Sequence, residues 1–207
     1  MMDIQLALTQ ENLAFAAALG ILVLRHLWVV RRGAKSRDTM AFRSEWVKRM
    51  FRQPGLEVLA VQTLRNSIMA ATVMASTSAI GLMGIISLGR LGGPGEDAGA
   101  RALPWMHAFQ LRFVLPLALL AACVVLFSSA SRLYHRCGYL VGLGSASAIP
   151  AAEESAIQEL TRAALLYRHG RRVFLAAVAT GAWLVSGWLA LLTTIVLVLI
   201  DIAAKAE

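Results

Sequence analysis

Charge is scarce in this sequence. Only 15% of its 207 residues are Asp, Glu, Lys or Arg, against about 25% in a soluble globular domain. Acid is scarcer than base: 12 Asp and Glu face 20 Lys and Arg, leaving a net charge of +8. Cysteine is nearly absent. Cys123 lies in an apolar run and Cys137 in a basic stretch, a placement that speaks against a disulfide between them and leaves no Cys-built zinc site. There is no Gly-rich phosphate loop, no nucleophile elbow, no internal repeat and no low-complexity tract. The four histidines, His26, His107, His135 and His169, fall in four separate places, and no two have the spacing of neighbours on a helix. That pattern argues against zinc and against a haem held by two facing ligands. The first residues carry Asp3 and Glu11 but no Lys or Arg. A secretory signal wants a basic start and a small-residue cleavage site, so the first apolar run reads as a retained anchor.

What the chain does have is apolar length. Hydrophobic residues make up 58% of it, and the mean hydropathy is +0.65. A bilayer core asks for about 20 mostly apolar residues per helix. Four stretches answer: about 13–30, 68–88, 109–129 and 173–200. The expected fold is therefore all-α. It is an integral membrane four-helix bundle in one domain over 1–207, with helical extensions into the loops 31–67 and 130–172.

Lys and Arg concentrate in cytoplasmic loops. Nine of them fall in 31–67 and six in 130–172, with only Arg90, Arg101, Arg112 and Lys205 on the opposite side. Both basic loops are thus expected to face the cytoplasm, and both termini the other side, in a cell membrane such as the bacterial inner membrane. The same asymmetry explains the positive charge without nucleic acid. It also predicts that an impermeant thiol reagent reaches Cys137 only once the cytoplasmic side is opened.

The loops carry their own pattern. In "TMAFRSEWVKRMFRQPG", Trp46, Val47, Met50 and Phe51 share one helical face, Lys48, Arg49 and Arg52 flank it, and Pro54-Gly55 stops it. A basic amphipathic helix of this kind is expected at the lipid interface, with Trp46, Lys48, Arg49 and Arg52 meeting anionic headgroups. Residues 89–108 are Gly- and Pro-rich and read as a turn, with Trp105 and Phe109 anchoring the next span. After Pro150, "AAEESAIQELTRAALLYRHGRR" places its Glu residues early and its Arg residues late, as a helix dipole favours. That helix is expected to run straight into the last span.

Ser67, Ala71, Ala75 and Ala79 recur every four residues in the second span. Small-residue ridges let helices approach closely in lipid. Hydroxyls at Thr72, Ser76, Thr77 and Ser78 accompany them and also suit a water-filled path. Arg65-Asn66 sits at the cytoplasmic edge of that span. With Arg132 and Arg172 it reads either as a clasp across the bundle or as the basic mouth of a channel. No carboxylate falls within a span, which weighs against a proton-coupled carrier. No cofactor and no catalysis are expected. The leading function is that of a non-catalytic multi-pass protein that self-associates or serves as an accessory subunit of a larger membrane complex. The alternative is an oligomeric, anion-leaning channel.

"LAVQTLRNSIMAATVMASTSAI" closely resembles the signature of the domain of unknown function 599 family of membrane proteins. "FSSASRLYHRCGYLVGLG" resembles the family's exit from the third span. "YRHGRRVFLAAVATGAWLVSGWL" resembles its entry to the last, matching at Gly170, Arg172, Phe174, Trp183 and Trp188. Arg168-His169 replaces an Asn-Arg pair, and Gly187 stands where proline is expected. The resemblance implies four spans and no established activity.

Overall fold

The computed structural model describes residues 2–31, 34–53, 55–91, 104–143 and 151–203. Among them the chain is all-α, six helices with no strand: α1 (Met2–Arg31), α2 (Ala34–Arg52), α3 (Glu57–Leu91), α4 (Pro104–Gly142), α5 (Ala152–Ala182) and α6 (Gly187–Ala203). Within α3 and α4, Glu57–Leu88 and Arg112–Gly142 are long and apolar enough to cross a membrane, and Gly187–Ile200 is a shorter apolar helix. Residues 92–103 of the Gly- and Pro-rich stretch, and the side chains of Trp105, His107, Phe109 and His26, lie outside the described residues.

The chain packs as two compact units. One comprises Arg32–Ala79 and Ala122–Arg171. Here α2 ends at Arg52, and Gly55 follows with a φ of 90°, where a residue without Cβ is at ease. The turn brings α2 back onto α3. The core joins Val47, Met50 and Phe51 of α2 to Ala60 and Leu64 of α3, Ala130, Tyr134, Cys137 and Val141 of α4, and Ala152, Ala156, Leu160 and Ala163 of α5. Five of these are alanines, so the helices lie close. Both cysteines are free and buried. Cys137 donates to the Ala156 carbonyl at 3.5 Å.

This core corrects the reading of α2. Its apolar face does not turn to a headgroup layer. Val47 is fully buried and Met50 and Phe51 nearly so, against protein. Each such side chain contributes about 1.5–3 kcal/mol by burial, enough to hold a short amphipathic helix on its neighbours. Trp46 packs half-buried at the edge. Lys48 is half-buried, while Arg49 and Arg52 are exposed. Burial also removes Cys137 as a probe of sidedness, because its thiol has no open face.

The other unit comprises Met1–Arg31, Ile80–Ala121 and Arg172–Glu207. The last apolar run is not one helix here. It breaks at 183–186, where Trp183, Leu184 and Val185 bond back to carbonyls three residues earlier. α6 restarts at Gly187 with Ser186 as its cap, the Ser186 hydroxyl accepting from the Leu189 amide at 3.1 Å. Glu11 of α1 accepts the Gly187 N–H through its carboxylate. Phe15 stacks on Trp183 with centroids 3.5 Å apart and planes 5° from parallel. The Arg112 guanidinium lies 5.1 Å from the Trp183 ring centre and donates to Asn12 at 3.5 Å. Glu11 lies outside the first apolar run by sequence, yet it meets position 187, midway along 173–200. A carboxylate is therefore packed inside a stretch that contains none of its own.

Candidate functional site

The polar features of the first-described unit converge on the groove between α3 and α4. The two helices run antiparallel. Thr72 and Ser131 share a hydrogen bond at 3.5 Å. A Cβ at Gly138 would lie 3.9 Å from Leu64, and one at Gly142 3.9 Å from Val61. Positions 138 and 142 thus run beside the start of α3 at ordinary van der Waals distance. Further along, the helices part into a groove of about 390 Å³. Thr72, Ala75, Ser76 and Ala79 form one wall, and Val124, Ser128, Ser131 and Arg132 the other.

Hydroxyls elsewhere on α3 are satisfied locally. Thr63, Ser67, Ser78 and Ser87 each donate to the carbonyl four residues earlier. Ser76 and Ser128 make no hydrogen bond with another described residue. Their hydroxyls open into the groove instead, beside small apolar side chains. Arg132 donates to Ser129 at 3.0 Å.

The expected small-residue ridge divides along its length. Ala71 is fully buried against the bundle. Ala75 and Ala79 line the groove, and Ser67 is half-buried above Thr63. The reason is geometric: four residues advance a helix by 400°, so a four-residue repeat drifts about 40° per step. One end of the ridge faces the protein's own core and the other faces out.

The clasp reading of Arg65 and Asn66 finds no partner among the described residues. Both side chains are exposed, and neither bonds another described residue. The cation that meets the Glu-bearing helix is Arg136 of α4, 3.9 Å from Glu159 of α5. Six arginines occupy 130–172, and nothing in their spacing singles that one out. Arg172 is half-buried in the other unit. His135 and His169 are both exposed, and the Nδ1 of His169 pairs with the Leu165 carbonyl of its own helix at 2.7 Å rather than with His135. Among the described residues no group of His, Cys, Asp and Glu has the makings of a metal site.

Ser128 and Ser131 escape a reading by span alone. They sit in "FSSASR", where hydroxyls mark the exit of a span, and only the antiparallel register sets them opposite Thr72 and Ser76.

Among the described residues this is an all-α protein with two helices long and apolar enough to cross a membrane. A family model described as "Protein of unknown function, DUF599" matches residues 13–203. The chain belongs to that family. Neither a curated protein nor a solved structure matches it.

Proposed function

We propose that this is a non-catalytic, multi-pass membrane protein that works by assembly, a second copy of the chain covering the α3–α4 groove. The four apolar runs cross the membrane, the last as two helical pieces, with both termini outside and the basic segments 31–67 and 130–172 in the cytoplasm. The observation that carries the reading is the groove itself. Lipid tails offer Ser76 and Ser128 no hydrogen-bond partner, whereas a facing helix does. Small residues such as Ala75 and Ala79 let that helix approach. A two-fold dimer would use the same patch twice.

The test is the mass of the purified protein in nanodiscs of native lipid, together with Ser76→Cys cross-linking. The expected result is a homo-oligomer that Ser76→Cys locks under oxidation, while Val185→Cys, on an exposed site of the last run, does not. A monomer with no co-purifying subunit and no cross-link overturns it.

Arg132 at the groove wall favours a second reading, an assembly whose facing grooves enclose an anion path. Halide flux into proteoliposomes above the leak of empty vesicles, reduced by Arg65→Ala, is its expected signature. Flux at background for both wild type and Arg65→Ala removes it.

A further inference from the structure

Arg65 lies seven residues before Thr72 on α3. Seven residues turn a helix to within about 20° of its starting direction. Arg65 therefore continues the groove wall formed by Thr72 and Ser76. Asn66, about 100° further round, leaves it. On α4, His135 lies seven residues after Ser128 and continues the opposite wall by the same rule. The contacts of Leu64 with Gly138 and Thr72 with Ser131 set His135 level with Ile68. Arg132 is one turn to one side of that level and Arg65 one turn to the other. At 1.5 Å per residue the two arginine levels are about 9 Å apart, a gap within the combined reach of two arginine side chains once Arg132 turns from Ser129.

Among the described residues no acid lies within ion-pair distance of these cations. α4 contains no Asp or Glu, and α3 has only Glu57 in its first turn. Glu159 is committed to Arg136. Arg65 and His135 make no bond with another described residue, and the hydrogen bond of Arg132 goes to a neutral serine. Three exposed donors, two of them permanent cations, thus share one stripe of the α3–α4 surface beside the groove, with no counter-ion among the described residues. Guanidinium groups bind phosphate oxygens in pairs, with geometry that a halide does not exploit.

We propose that this end of the α3–α4 groove binds a phosphate group, held between Arg65 and Arg132 with His135 as a third donor. All three residues come from one copy, so the site does not depend on self-association. The phosphate belongs either to the headgroup of an anionic phospholipid or to a soluble phosphate.

The full-length protein, purified in detergent, distinguishes these. Native mass spectrometry measures retention of phosphatidylglycerol against phosphatidylcholine. Thermal shift measures stabilisation by inorganic phosphate. Variants are Arg65→Gln, Arg132→Gln and their double, with Arg49→Gln, an exposed arginine of α2 off the groove, as control. Circular dichroism verifies that each folds. Phosphatidylglycerol retained by wild type and by Arg49→Gln, but roughly five- to tenfold more weakly by each groove variant, establishes a lipid site. A phosphate-induced shift lost in the groove variants, without selective lipid retention, establishes a soluble-phosphate site. Groove variants indistinguishable from wild type in both measurements overturn the proposal.

Discussion

Gly170→Ala probes the tightest contact in the core of α4 and α5. Gly170 is buried on α5, and a methyl there would lie 2.9, 3.0 and 3.1 Å from Cε1, Cζ and Cδ1 of Phe127. The obstacle is not a flexible tip. Phe127 is fully buried, and its ring meets Tyr167 edge-on at 5.5 Å. The Gly170 carbonyl also accepts from the Cys123 thiol at 3.8 Å, so a shift of either helix disturbs a second contact. Two effects compete. Replacing a mid-helix glycine by alanine gains about 0.5–1 kcal/mol. Overpacking a close-packed core costs about 1–3 kcal/mol. The packing term wins, for a net loss of about 1–2 kcal/mol. In a chain of this length that lowers Tm by roughly 2–8 °C. Gly84→Ala is the internal control, because a methyl at that helical position meets nothing within 4 Å. It is expected to hold or raise Tm. The double variant Gly170→Ala with Phe127→Leu should lose less than the two singles together, with a coupling of about 1 kcal/mol. Thermal unfolding followed by circular dichroism in one detergent compares wild type with the four variants, Phe127→Leu included. A Gly170→Ala variant as stable as wild type, with Gly84→Ala behaving as expected, refutes the packing deduced here.

The docking of α2 predicts that Val47→Asp, which buries an unpaired charge, destabilises the fold by several kcal/mol, while Arg49→Asp changes stability by less than about 0.5 kcal/mol. Equal, small effects of the two on Tm would return α2 to the membrane surface. Glu11→Ala removes a carboxylate from the first N–H of α6 and should cost about 1–2 kcal/mol. Glu11→Gln, which keeps an acceptor, should cost less, and Tm measurements on the two variants check the order. Cys137 should resist an impermeant maleimide from both sides until denaturant is added. Cys introduced at the exposed Tyr139 should react from the cytoplasmic side alone, and reaction from outside would reverse the proposed topology.

Much of the fold was legible because a span's signal is additive over many residues. The second and third runs lie inside α3 and α4, and α2 ends at Arg52, shortly before Gly55. What the patterns of α2 do not disclose is the partner of its apolar face. Trp46, Val47, Met50 and Phe51 at helical spacing look the same whether they meet headgroups or a core. The decision rests with Ala130, Cys137, Ala156 and Ala163, small residues some 80 or more positions away that open a socket for Val47 and Phe51. The helix break at 183–186 left a faint trace. Gly187 occupies the place where the family resemblance leads one to expect proline, and proline is at home in the first turn of a helix. A proline there reads as a restart, whereas glycine within "WLVSGWLALL" reads as one more small residue in a span. For the groove, Arg65 and Asn66 are neighbours in sequence but point about 100° apart. Treating them as a pair conceals that only Arg65 shares a stripe with Thr72 and Ser76.

The break in the last run bears on function through Glu11. Read along each run separately, no span contains a carboxylate, and proton coupling loses its usual acceptor. Packing restores one, because α1 brings Glu11 to position 187. A helix interrupted within an apolar stretch leaves backbone groups that lipid cannot satisfy. Ser186 takes the Leu189 amide and Glu11 the Gly187 amide, so the interruption carries its own acceptors. Arg112, over Trp183 and bonded to Asn12, adds a cation from α4 to the same unit. Trp183 is nearly buried, and its indole N–H finds no acceptor among the described residues. Among the described residues the Gly187 amide is the donor that the Glu11 carboxylate meets. If Glu11 serves only as a cap, Glu11→Gln preserves assembly and lipid retention while lowering Tm. Loss of either property at unchanged Tm would instead give the carboxylate's charge a role of its own.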